Sequence, residues 1–514
     1  MRLKFLALSI LLLSIQADAN GQGNSLSYGS GVRGASQYHI PSIQTSFSDS
    51  QDESKDDSEK KSAEDLDEDD DMSAYLSIFE GLGPGEVNED AEPATRRLPV
   101  VVEEIVKPGK EASDDQFKKL KFYADYDKGF AILPYNKKKT PFDLRINGWI
   151  QFRHHGFARN VTDWTDNAGV TRPVRNRNAF DIERARLSFK GAALDERLTY
   201  FYQLDGDTDG RHGVDFFDYW WSWKFSDRFR VQFGKRKVTA GRQWLLGARR
   251  TRFIDRPIAN DFFRPDRTIG VFGIGKIGET GHYEAMIGNG YRTSNLPNST
   301  TDDQFTFAFN QYFDPNGDYG GQLVDFDNNL NPLIRFGHSF VYSPITSDAL
   351  GNPQAETDFL RLSDGTRLNQ TGALSPGVTV SGANVLFYGV DAAAKWRGWS
   401  INSEVFMRWL NDFEADGPLP VDSLMQRGFY VEGGRFLIPQ KLDVNLRYSE
   451  INGLVGGGTE YAAGLNWYPL QNSYKFKWSF DVTVLDGSPL NNSASDILVG
   501  DDGTLFRTQI QAEF

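Results

Sequence analysis

The sequence predicts an all-β chain: a transmembrane antiparallel up-and-down β-barrel of sixteen strands, preceded by a disordered acidic N-terminal segment. Three observations predict it. From Phe142 onward, segments of about ten residues alternate apolar and polar side chains, a period of two that turns one face to apolar surroundings and the other to water. That length is close to the ~9–11 tilted residues that cross a bilayer. The connections between segments alternate long and short, as loops on two faces of a membrane do.

The elements follow in chain order. Arg2 and Lys4 precede the apolar run "FLALSILLLSI", and Ala17–Ala19 ("ADA") supplies small residues for cleavage. Residues 1–19 therefore read as a secretory signal peptide rather than a membrane anchor, the run being too short to span a bilayer. Without Cys, stability in an oxidising compartment has to come from something other than disulfides. Residues 20–115 are rich in Ser, Gly, Asp and Glu with no lasting apolar period, which predicts a disordered periplasmic segment. Within it, 49–71 carries thirteen acids against three lysines, a net −10 in a chain whose total is −14. A solvated linker or an acidic interaction tail fits this composition. Residues 116–141 form a lead-in, and 142–514 the barrel.

Within the barrel the clearest strand is "KFKWSFDVTV". Phe476, Trp478, Phe480, Val482 and Val484 alternate there with Lys475, Lys477, Ser479, Asp481 and Thr483. The same sorting marks strands at 143–154, 183–191, 198–205, 215–224, 229–236, 268–276, 282–290, 303–313, 332–342, 385–396, 399–410, 428–437, 441–450, 459–469, 475–486 and 504–514. The gap 314–331 falls where a short turn is required, so one element there is expected to be misread. A β-sandwich or propeller would also show many strands. The strand length, the alternating loops and the terminal aromatic Phe514 favour a closed barrel, in which every backbone polar group is satisfied between strands.

The charge pattern points to a channel. If the apolar side chains face lipid, Arg145, Arg153, Arg184, Arg186 and Lys190 point into the lumen. The connection 237–267 is too long for a tight hairpin, and a loop of that length is usually functional. Residues 235–267 hold ten Lys or Arg, among them Arg249, Arg250, Arg252 and Arg256, against three Asp. Folded inward, such a loop would form a constriction whose guanidiniums favour anions. The competing reading is that these arginines pair with Asp255, Asp261, Asp266 or Glu183 and brace the loop.

The segments "YDKGF", "FDLRINGWIQFR", "FDIERARLSFKG", "VQFGKRKV", "RFIDRP" with "FRPDRTIGV", "VDAAAKWRGWSINSEVFMRWL", "GFYVEGGRFLIPQ", "AAGLNWYPL" and "RTQIQAEF" resemble, in order and spacing, the phosphate-selective porin O/P family. The resemblance covers roughly 126–514. It implies a sixteen-stranded outer-membrane porin, trimeric, with inward-folded loops and a ladder of basic residues passing anions. Two positions depart from the family pattern: Trp149 stands where an Arg is common, and Glu183 replaces the first of two arginines. Losing one positive charge and gaining a negative one weakens a dedicated phosphate site. Trp149 could instead stack against a sugar ring or another organic solute.

The expected function is passive diffusion of small anionic solutes, phosphate or similar, through the outer membrane of a Gram-negative-type cell. The N-terminal segment and C-terminus are expected to be periplasmic. The partners are the lipid bilayer, the solutes and two further copies of the chain, with no nucleic acid. No catalytic residue, metal site or cofactor is predicted. "GIGKIG" (273–278) has the spacing of a dinucleotide fingerprint but sits on a strand rather than before a helix. "DGDTDG" (205–210) opens like a calcium loop but has Phe216 where the bidentate Glu belongs. His154 and His155 adjoin on a strand and so face opposite ways. The rival functions are an outer-membrane tether and a barrel-borne hydrolase.

Overall fold

A computed structural model describes residues 122–126, 129–206, 214–293, 302–346, 360–470, 472–491 and 495–514. The expected signal peptide and acidic segment lie outside the described residues.

The strands are β1 (Phe122–Tyr126), β2 (Phe130–Pro134), β3 (Leu144–Arg159), β4 (Asp163–Thr165), β5 (Thr171–Pro173), β6 (Arg177–Ala193) and β7 (Asp195–Asp205). They continue as β8 (Asp215–Ser226), β9 (Phe229–Lys237), β10 (Arg267–Ile277), β11 (Gly281–Gly288), β12 (Thr306–Phe313) and β13 (Leu333–Thr346). The last seven are β14 (Val380–Trp396), β15 (Trp399–Ala415), β16 (Ser423–Ile438), β17 (Leu442–Asn452), β18 (Gly457–Trp467), β19 (Phe476–Asp486) and β20 (Gly503–Glu513).

Sixteen of these, β3 and β6–β20, form one closed antiparallel barrel and match the sixteen predicted segments. Each pairs with its neighbour in sequence, and β20 returns to β3 with Gly503 opposite Arg159 and Glu513 opposite Trp149. Closure leaves no unpaired edge, which hydrocarbon surroundings require. No helix among the described residues is long and apolar enough to cross a membrane. The strands do the crossing.

The side-chain sorting follows the sequence pattern. On β19, Phe476, Trp478, Phe480 and Val484 are 36–47% exposed while Lys477 and Asp481 are at most 1% exposed. On β20, Phe506 and Ile510 face outward and Arg507, Gln509 and Gln511 are buried in the interior. Where connections are tight, the backbone meets the hairpin's twist: Arg397 (φ 49°) and Gly398 (φ 76°) both take the positive φ that a two-residue primed turn needs between β14 and β15.

The structure corrects the pattern reading in one place and adds to it in another. The gap 314–331 hides no misread strand. It is a real connection between β12 and β13 that folds into the barrel. Tyr319, Leu323, Val324 and Phe326 are buried there, and Phe326 packs on Phe436, Tyr468 and Tyr474. Asp325 ties it down by accepting the N–H of Asn329 and of Gly398. The lead-in 116–141 holds a hairpin, β1–β2. Beyond the end of β20, β2 pairs with the first residues of β3, Ile132 opposite Leu144 and Phe130 opposite Ile146, and so covers an edge that would otherwise stand open.

Candidate functional site

The residues between β9 and β10 run into the barrel and carry two short helices, α1 (Arg242–Leu245) and α2 (Ile258–Phe263), with a 3-10 turn at Ala248–Arg250 between them. Their apolar residues make a core inside the tube: Trp244, Ile258, Ala259 and Phe263 are fully buried, and Phe263 stacks on Phe406 of β15 at 5.6 Å.

Carboxylates of the far wall hold this loop by its backbone. Glu404 of β15 accepts the N–H of Arg242 at 3.0 Å and that of Gln243. Glu460 of β18 accepts the N–H of Ile258 at 2.8 Å, and Asp481 of β19 accepts that of Ile254 at 3.0 Å. The first N–H groups of a helix have no partner within it. Here acids on the barrel wall supply those partners at the start of both helices. Gly241, the residue before α1, stands at φ +62°, and an added Cβ would lie 3.2 Å from Glu404 Oε2.

The predicted site residues separate by burial. Five are enclosed. Arg153 donates to Asp255 (2.6 Å), Asp496 (2.9 Å) and Glu183 (3.2 Å). Arg184 reaches Glu183 and Asp255 at 3.2 Å each and Gln151 at 2.7 Å. Arg186 pairs with Asp205 at 2.8 Å. Arg252 donates to Asn445 and Ser400 at 2.7 Å each and to the carbonyl of Leu323 at 3.0 Å. Arg256 bonds the carbonyls of Gln243 and Leu246 and so closes the turn after α1.

Four are half-buried. Arg145 pairs with Asp143 at 3.1 Å and stands opposite Lys190 across β3 and β6. Arg249 pairs with Glu513 at 2.7 Å, and Arg250 donates to the carbonyl of Gly321 at 3.1 Å. Through Arg250 and Arg252 the loop thus meets the inward-folded 314–332 connection.

Glu183 lies between Arg153 and Arg184. Trp149 is 5% exposed, with the guanidiniums of Arg186 and Arg249 at 5.1 and 5.3 Å from its ring. Asp255 pairs with arginines from across the lumen, including Arg507 at 3.6 Å. Asp261 and Asp266 do pair locally, with Arg264 and Arg267.

Pattern reading left the wall acids without a role. Glu404, Glu460 and Asp481 all occupy polar positions of the alternation, so the signal for an inward acid was there. What each acid meets depends on a loop distant in sequence. The two histidines separate as strand geometry requires: His154 bonds Asn178 on the outer wall, and His155 faces inward against Asp181 and Asp496.

Residues 157–314 match the model of the family described as phosphate-selective porin O and P, in agreement with the resemblance read from the sequence. Among solved structures, the anion-selective porin from Comamonas acidovorans is similar over 72% of this chain and 99% of its own, at 10% identity and a TM-score of 0.45. Outer-membrane OmpT of Vibrio cholerae aligns over 72% and 98%, at 11% identity and a TM-score of 0.43. OprB of Pseudomonas putida aligns over 72% and 94%, at 9% and 0.44. No curated protein matches the chain at a significant level.

Proposed function

We propose that the chain is an outer-membrane porin that passes small anions by diffusion, with the loop 238–266 as its constriction. One observation carries this reading: the loop spans the lumen and is pinned to three acids of the opposite wall. A barrel that served only as an anchor has no use for so braced an internal partition, and the family match over 157–314 favours a channel over an enzyme.

Burial divides the work among the nine basic residues. Arg153, Arg184, Arg186, Arg252 and Arg256 are spent on structure, because their donors are engaged by wall and loop acceptors. Arg145, Lys190, Arg249 and Arg250 are half-buried near the end of the barrel with the shorter turns. They would set the sign of the permeating ion there, since rings of cationic side chains favour anions. Their anchoring acids, Asp143 and Glu513, offset part of that field, so moderate anion preference is expected rather than a deep phosphate well. The shorter turns and the C-terminus would face the periplasm, and trimeric assembly would follow from the family resemblance. The reversal potential of the reconstituted chain under a salt gradient tests the proposal, and a cation preference would refute it.

A further inference from the structure

At the end of the barrel that carries the longer loops, three segments line an open cavity of about 570 Å³. The β4–β5 hairpin supplies Trp164 and Arg172. A second hairpin supplies Arg361 and Arg367, Asn369 and Gln370 follow it, and the connection between β19 and β20 supplies Asn491 and Val499. Among the described lining residues there is no carboxylate. The cavity lies outside the constriction and shares no residue with it.

Three features mark it as a built site. First, Arg361 and Arg367 stand directly opposite each other across a bridge, closed by Leu362 donating to Thr366 and Gly365 to Leu362. Arg361 also donates to the carbonyl of Gly365 at 2.7 Å, which fixes its guanidinium at the rim of the cavity. Second, the hairpin is held in place from below: Arg408 and Gln426 of the barrel wall both donate to the carbonyl of Arg361, at 3.2 and 2.9 Å.

Third, Asp166 sits behind the cavity, 4% exposed, and orients two lining groups at once. It accepts from Arg172 at 2.7 Å and from Gln370 at 2.8 Å. Burial disfavours its charge, but the hydrogen bonds from Arg172 and Gln370 outweigh this and hold its pKa below the ordinary value. Trp164 pairs with Arg172 in the hairpin register and has its guanidinium 5.6 Å from the ring. Behind the indole, Gly500 leaves room that a Cβ, 2.5 Å from Trp164, would take.

We propose that this cavity binds an acidic saccharide, a sugar bearing a carboxylate, at the mouth of the barrel. The volume falls in the ~300–1,000 Å³ range of sites for organic ligands, far more than an inorganic oxyanion fills. Guanidiniums suit a carboxylate in paired geometry. Amides such as Asn369 and Gln370 both donate and accept, as sugar hydroxyls do. Beside Arg172, the half-buried indole offers an apolar edge for the C–H groups of a sugar ring. Capture here would raise the local concentration of an anion above the constriction. That consequence rests on the channel reading; binding itself does not.

Isothermal titration calorimetry on the full chain in detergent micelles tests it, with digalacturonate as probe and galactose and inorganic phosphate as controls. Digalacturonate should bind, and neither control should compete at tenfold higher concentration. Arg361→Gln with Arg367→Gln should weaken binding at least tenfold, and Trp164→Ala should weaken it several-fold. Phosphate or galactose binding as tightly as digalacturonate would overturn the proposal, as would affinity unchanged in all variants. A wild-type chain that conducts but does not bind digalacturonate removes this site alone, and one that binds without conducting leaves it standing and removes the channel reading.

Discussion

Asp255, in the loop inside the barrel, lies 2.6 Å from Arg153 on the barrel wall, with both side chains buried. Arg184 approaches the same carboxylate at 3.2 Å and Arg507 at 3.6 Å. A single loop acid therefore serves three wall arginines. Removing one partner of a buried ion pair leaves the other charged and unsatisfied, at a cost of about 3–5 kcal/mol. Asp255→Ala should free the middle of the loop. In planar bilayers its single-channel conductance should rise and become noisier than wild type, and its melting temperature in detergent should fall.

Glu404 holds the start of α1 by accepting two backbone N–H groups. Loss of a capping acceptor costs about 1 kcal/mol, and Glu404 also accepts the hydroxyl of Tyr430 at 2.8 Å. Glu404→Ala should therefore lower stability by about 1–3 kcal/mol, with Glu404→Gln intermediate because it keeps one acceptor oxygen. Thermal melts of the two variants side by side check the order.

Gly241 provides a backbone test of the same anchor. Its φ of +62° is disfavoured for residues with a Cβ by about 1 kcal/mol or more, and the added carbon would press on Glu404 Oε2 at 3.2 Å. Gly241→Ala should destabilise, and combined with Glu404→Ala the losses should be less than additive because both act on one contact.

The two groups of arginines should respond differently to charge reversal. Arg250→Glu, at a half-buried position, should shift the reversal potential toward cations with a modest change in stability. Arg256→Glu would set an acid against the carbonyls of Gln243 and Leu246, so its main effect should be loss of folded protein. Equal shifts in reversal potential from two equally stable variants would count against a division of the arginines into structural and solute-facing groups.

At the other end, Asp496 anchors the 487–502 loop. Burial disfavours its charge, but Arg153, His155 and Arg507 outweigh this and bring its pKa down from 3.8 to about 2. A lowered carboxylate pKa stabilises the fold above the unfolded value and loses that contribution as pH falls through the folded value. Stability should therefore hold above pH ~4 and drop between pH ~4 and ~2, and Asp496→Asn should flatten that part of the profile.

Much of the barrel could be read from single strands, because period two is a local property. Lys477 and Asp481 reveal their inward direction within ten residues of sequence. The inward fold of 314–332 could not be read in this way. Phe326 looks like an ordinary loop aromatic until the lumen offers it Phe436 and Tyr468, and so does Tyr319 until Lys395 and Arg335 lie against its ring. The same limit applies to the arginines. Their count in the loop points to positive charge left for solute, whereas Arg252 is buried against acceptors on β15 and β17, and Arg153 of the wall against acids of two distant loops. The hairpin β1–β2 went unread because its five-residue strands are too short to show a lasting period.

The reversal potential of the wild-type chain in a planar bilayer, under a gradient of potassium chloride, separates an anion-passing channel from a cation channel or a closed barrel. A conducting pore with moderate preference for chloride is predicted, falling after Arg250→Glu. A preference for potassium, or a membrane that holds the folded barrel and passes no current, would contradict it.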